Sequence, residues 1–196
     1  MNMSSADSAG REMSGPVVVV VVVVVVLLAL VGLGYNGLIR RRNRVDATWS
    51  DVDVLLRRRH DLVPNLVSTV SGYAGHEAAA LRAVAEARSS AIAAAGPSAI
   101  GQAESQLASG VRSVFAVAEA YPNLKASTAY VQLQEQLEAT EDGLEHARQF
   151  YNDSVYGYNN AVQTLPRNLV AMLFGFRTRQ FFQAAGTDRA TPPVKV

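Results

Sequence analysis

The sequence predicts an all-α protein: an N-terminal transmembrane helix followed by an up-and-down antiparallel four-helix bundle with long helices. Three observations carry that expectation. Val17 to Gly34 is eighteen residues without a charge, opening on ten consecutive valines. The segment Tyr35 to Glu77 then spaces its apolar residues in helical steps, through Val45, Trp49, Val52, Leu56, Val63, Leu66, Val70 and Tyr73, which form one stripe on a helix. Further on, Tyr130, Leu137, Leu144, Tyr151, Tyr158 and Leu165 recur every seven residues, with Leu133, Thr140, Ala147 and Ser154/Val155 in the companion seam. A sustained heptad demands long helices packed almost antiparallel, the geometry of coiled coils and four-helix bundles. No strand signal competes: the valine run is β-branched, but its length and uniform apolarity favour a membrane helix.

Taken in order, residues 1–14 are small and polar and are expected to be a disordered N-terminus. Residues 15–39 are the transmembrane helix. Its apolar core reaches roughly 27 Å at ~1.5 Å per residue, close to the ~30 Å of a hydrocarbon layer. A cleaved signal peptide fits less well. The run exceeds an h-region, Arg11 is offset by Asp7 and Glu12, and four arginines follow in place of a small-residue cleavage site. Arg40, Arg41, Arg42 and Arg44 directly after the span point to a cytoplasmic bundle and an outside N-terminus. The expected location is therefore the bacterial inner (cytoplasmic) membrane, crossed once. The same four arginines are the candidate membrane-surface residues, since each basic residue near anionic headgroups contributes ~1 kcal/mol.

Residues 40–185 form the expected bundle. Its first helix runs from the collar through Asp61 and Pro64, where a kink is favoured over a break because the stripe resumes in phase, and on through Leu81 and Val84 to the alanines before Gly96-Pro97-Ser98. A second helix spans about Ser98 to Ala120, with Ile100, Leu107, Val111, Val114, Phe115 and Ala118 inward. Tyr121-Pro122-Asn123 ends it, the heptad helix follows, and Pro166 opens a fourth helix to about Ala185 with Leu169, Met172, Leu173 and Phe176 inward. Residues 186–196 carry Pro-Pro and no period and read as a flexible tail.

Composition excludes several chemistries. With no cysteine there is no disulfide, thiolate zinc site, thiol nucleophile or lipobox anchor. A net charge of +1 gives no nucleic-acid footprint, although residues 40–59 hold seven arginines against three aspartates. His76-Glu77 opens like H-E-x-x-H, but Ala80 stands where the second ligand belongs, so zinc peptidase chemistry fails. His60 and His146 are isolated, and the Glu-His neighbours at 76–77 and 145–146 lack the Glu-x-x-His spacing of a di-iron bundle. Glu135, Glu138, Asp142 and Glu145 share one helix face, which reads as a solvated stripe facing Arg57 to Arg59 on another helix and not as an acid–base pair. No phosphate loop or nucleophile elbow occurs. No metal, cofactor or enzymatic activity is expected. The polar residues beside the apolar stripes, Asp53, Asn65, Thr140, Arg148, Asn152 and Asn159, are candidates for buried groups that set helix register.

These blocks resemble the LemA family of bacterial membrane-anchored helical proteins. The match lies in YN-x-L-I at Tyr35 to Ile39, RNRVDATWSDVDVLLRRRHDLVPNLV at Arg42 to Val67 and YAGHE at Tyr73 to Glu77. It continues in YPNLKA at Tyr121 to Ala126, LQEQLEATEDGLEHAR at Leu133 to Arg148, the YN pairs at 151–152 and 158–159, and LP-x-N-L-x-A-x-x-F-G-F from Leu165 to Phe176. Residues 96–110 are richer in Gly and Ser than the pattern, and the homopolymeric anchor is unusual. The resemblance implies an N-terminal span, a mostly helical bundle, an envelope-associated role and no established catalysis. It also implies membrane metallopeptidases or TPM-domain proteins as partners. The function expected is thus a membrane-anchored scaffold or partner-binding protein, with an anionic-lipid-binding or membrane-remodelling role through the arginine cluster as the alternative. Partners are membrane lipids and proteins without nucleic acid, and self-association into a homo-oligomer stays open.

Overall fold

The computed structural model describes residues 7–183, with side chains at 15 and 17–183. Every regular element among them is helical: α1 (Asp7–Ser71), α2 (Ala78–Ala93), α3 (Pro97–Ala118), α4 (Pro122–Lys125), α5 (Thr128–Gln163) and α6 (Arg167–Leu173). Residues 1–6 of the expected disordered N-terminus and the tail at 186–196 lie outside the described residues, and α1 begins at Asp7. The described residues divide into two compact units, 44–157 with 179–183 and 7–43 with 158–178.

In the larger unit the core gathers Leu62, Val63, Leu66 and Val70 of α1, Leu81 and Val84 of α2, Leu107, Val111 and Val114 of α3, and Tyr130 and Leu137 of α5. Four helices wall it, and their pairings run in opposite senses. His60 meets Arg88, the Val84 side chain faces Gly110, Phe115 packs edge-on against Tyr130, and Leu55 faces Gly143. The up-and-down antiparallel arrangement therefore holds, but its four members differ from those expected. The first helix does not continue to residue 95. It stops at Ser71, where Gly72 and Gly75 disfavour helix and Ala74 takes the buried place foreseen for Tyr73, which is exposed. The remainder is a separate helix, α2.

Pro64 does not break α1, and the structure supplies the reason. Proline has no N–H to give the carbonyl four residues back, so the His60 oxygen loses its helical partner. Arg88 of α2 donates its Nε–H to that oxygen at 2.7 Å. The proline ring itself is exposed.

Gly96 adopts φ 86° and Pro97 occupies the first turn of α3, a turn and helix start as the sequence indicates. The heptad seam of α5 is buried at Tyr130, Leu137, Thr140, Leu144, Ala147, Tyr151, Val155 and Tyr158. Leu165 breaks the pattern: α5 ends at Gln163, just before Pro166, and Leu165 is exposed.

The expected fourth helix from Pro166 to Ala185 is the main correction. Only α6, seven residues long, is helical. Gly175 at φ 71° turns the chain out, and residues 176–183 run without regular structure. The inward residues of α6 are Val170 and Ala171, while Leu169, Met172 and Leu173 are exposed. In the smaller unit Val170 and Ala171 close a cluster with Leu38 of α1 and Ala161 of α5, and Val162 and Phe176 pack against it. Along α1 in that unit the side chains of Val17 to Leu28, Leu30 and Leu33 are exposed large apolar groups.

Candidate functional site

A polar cluster lies in the larger unit, built on Arg59, which the sequence placed with Arg57 and Arg58 opposite an acidic stripe, and on Glu104, which the sequence did not single out. Steps of three and four along α1 run Val52, Leu56, Arg59, Val63, so Arg59 occupies an apolar slot. Glu104 does the same on α3, one turn before Leu107. Both are buried, Arg59 at 5% exposure and Glu104 at 2%. The Arg59 guanidinium pairs with Glu104 at 3.4 Å and with Glu141 of α5. Glu104 also meets His60 Nε2 at 2.6 Å, and Arg148 reaches Glu141 at 3.5 Å. Thus α1, α3 and α5 meet on one charge cluster. The Glu104 and Glu141 carboxylates are each held by a guanidinium, which suits clamping helices in register more than accepting a substrate proton.

The residues singled out from the sequence fall in several places. Asn65 lies on an exposed face and is no buried polar group. Asp53 is partly exposed and pairs with Arg57 one turn on, at 2.6 Å. Thr140 is buried and donates its hydroxyl to the Gln136 carbonyl. Arg148 is half-buried, and beyond Glu141 its guanidinium stands 5.7 Å over the Phe182 ring. Asn159 is half-buried.

Asn152 has the clearest task. Its side-chain amide donates to the Phe182 carbonyl at 3.1 Å and accepts the Phe182 N–H at 2.9 Å, satisfying both backbone groups of that residue. Trp49 and Arg148 enclose the Phe182 ring, and Tyr151 donates its hydroxyl to the Gln180 carbonyl at 2.8 Å. Gly101 is required on the far side, since a Cβ there would stand 2.1 Å from the Gln183 carbonyl oxygen. Residues 180–183 are thereby strapped to the bundle in the place a longer fourth helix was expected. Burial is the main cause that raises the Tyr151 phenol above its usual 10.0; nearby Asp46 adds to it and Arg179 opposes it. Tyr130 is raised likewise by burial first, then by Glu119 and Glu138.

In the collar, Arg40, Arg41 and Arg44 are exposed, and Arg42 is half-buried with its guanidinium 5.8 Å over the Phe176 ring. The acidic residues Glu135, Glu138, Asp142 and Glu145 are exposed, as a solvated stripe should be, and the carboxylate that meets Arg59 is Glu141, outside that set. His76 and Glu77 lie on the exposed turn between α1 and α2. Among the described residues no group of three or more His, Asp or Glu side chains could hold a metal. An open groove of about 320 Å³ lies between α1 and α2, lined by Val63, Pro64, Val67, Ser68, Ala85 and Arg88.

The chain is 25% identical over 196 residues to magnetosome protein MamQ 2 of Paramagnetospirillum magneticum (strain ATCC 700264 / AMB-1), covering 85% of this chain and 72% of that protein. MamQ 1 of the same strain matches to the same extent. Magnetosome protein MamQ of Magnetospirillum gryphiswaldense (strain DSM 6361 / JCM 21280 / NBRC 15271 / MSR-1) is 23% identical over 189 residues, 82% of this chain and 70% of that protein. The LemA family model matches residues 48–196, more than half of the sequence, and the chain belongs to the LemA family.

Proposed function

We propose that this protein is a single-pass, membrane-anchored helical scaffold whose bundle binds partner proteins on the cytoplasmic side and carries out no reaction of its own. The observation that carries the reading is the apolar stretch of α1 from Val17, long enough to cross a membrane and with no residue of its most apolar window buried by the rest of the chain. Such a face is stable in hydrocarbon and unfavourable in water. The arginines at 40, 41, 42 and 44 support the orientation, because basic residues beside a span are retained on the cytoplasmic side. A bundle whose interior carboxylates are each paired with a guanidinium supports a role without catalysis. The membrane metallopeptidases or TPM-domain proteins suggested by the resemblance are the partners to probe first.

Paired fusions after Val196 test this. A reporter that works only in the cytoplasm should be active and a periplasmic phosphatase inactive; the opposite pattern overturns the orientation. A second reading, anionic-lipid binding through the collar, is favoured by the exposure of Arg40, Arg41 and Arg44. On that reading, changing these three to Ser lowers the phosphatidylglycerol retained by the detergent-extracted protein, and unchanged retention counts against it.

A further inference from the structure

We propose that α6 is a second membrane-contacting element, a short wedge lying in the headgroup layer beside the exit of the span. The inference rests on the reading of α1 as a transmembrane helix and adds to it a surface that the arginine collar does not include. Within the smaller unit α6 packs at the level where the uncharged run ends. A Cβ at Gly34 would come within 3.1 Å of a Val170 methyl group, so the two helices approach closely there. Leu38, one turn further, closes the cluster with Val170 and Ala171. Tyr35 stacks against Phe174 with ring centroids 4.9 Å apart and against Phe176 at 5.7 Å. A helix fixed against residues 34–38 lies within about 6 Å, along the axis, of Gly34, where the uncharged run ends.

The opposite face of α6 is apolar and open. Leu169, Met172 and Leu173 fall on one side of the helix, opposite Val170 and Ala171, and Met172 is 78% exposed and Leu173 72%. Leu165 before the helix and Phe174 after it extend the same exposed apolar stretch. Large apolar groups gathered on one face mark a contact surface. Its flanks carry Arg167, whose guanidinium lies beside Gly37, and the exposed Arg40, Arg41 and Arg177. Apolar residues at the acyl boundary, tyrosine at the interface and arginines reaching phosphates are the components of an interfacial helix. The face is continuous with residues that themselves leave the hydrocarbon layer, which selects the bilayer over a protein as its occupant.

The absence of native cysteine makes the test direct. Three single-cysteine variants of the full chain, Met172→Cys, Leu28→Cys and Glu138→Cys, are labelled with an environment-sensitive fluorophore and reconstituted in phosphatidylcholine–phosphatidylglycerol vesicles. The label at 172 should be quenched by headgroup-proximal spin-labelled lipid, and its quenching by aqueous iodide should fall at least about three-fold below that at 138. Iodide quenching at 172 equal to that at 138 overturns the wedge. Shielding from iodide without lipid quenching also overturns it, in favour of a protein occupant. The label at 28 separates the two readings: lipid quenching there with a wet 172 refutes the wedge alone, whereas iodide quenching at both refutes the span as well.

Discussion

In the larger unit Leu66 and Leu107 are fully inside and the charges of Arg59 and Glu104 are compensated in the interior; in the smaller unit Val17 to Val26 and Met172 are exposed, and a small cluster of Leu38, Ala161, Val170 and Ala171 is buried. One chain thus follows two opposite rules of burial. A core in water hides apolar area at roughly 25 cal/mol per Å² and pairs the polar groups it encloses. A surface in hydrocarbon leaves its valines outward, because the lipid tails are as apolar as they are. The difference teaches that this sequence is written for two solvents, and that the change occurs near Gly34, where the uncharged run ends.

The largest effect should come from breaking the aqueous rule at its centre. Leu144→Asp places an unpaired carboxylate in the heptad seam at a site 1% exposed, and should destabilise the bundle by about 4 kcal/mol or more, read by chemical unfolding of the detergent-solubilised chain. A wild-type unfolding curve would remove residue 144 from the core.

Next is the ion cluster. Glu104→Leu leaves the Arg59 guanidinium buried with Glu141 alone and should destabilise by about 3 kcal/mol. Combining it with Arg59→Met should recover most of that loss, because a well-packed apolar pair often equals a buried ion pair. If the double variant is no better than the single one, the bundle depends on Arg59 and Glu104 for more than mutual charge compensation.

A smaller effect concerns alkaline pH. The Tyr130 and Tyr151 phenols are held protonated by the fold above their ordinary value of 10.0. Their contribution to stability is therefore complete below about pH 10 and is lost as pH rises through the raised folded values. Tyr130→Phe should flatten the fall of stability above pH 10. A variant that loses stability with the same slope as the parent would show that Tyr130 does not contribute to it.

Much of the architecture was legible in the sequence. The heptad from Tyr130 to Tyr158, the turn at Gly96-Pro97 and the apolar span each rest on a local rule that tertiary context does not overturn. What was not legible depended on distant partners. Nothing near Pro64 says that Arg88 will satisfy the His60 carbonyl and keep α1 whole. Nothing near Phe182 says that Asn152 will take both of its backbone groups, so the apolar residues after Pro166 looked like one more amphipathic helix. Arg59 and Glu104 could have been found by asking which charges sit in apolar slots of their own stripes, since 52, 56, 59, 63 is as regular a series as any on α1. Their partnership, forty-five residues apart, could not.

The central claim, two solvents for one chain, is tested most directly by charging the lipid-facing helix and asking which half of the molecule responds. Val21→Arg with Val24→Arg should release the protein from carbonate-washed membranes, where the parent chain stays, because each arginine at a span centre costs about 3 kcal/mol of insertion. The thermal unfolding of the bundle in detergent should be unchanged. Retention of the doubly charged variant in the membrane pellet, or loss of the bundle's unfolding transition, would contradict the account.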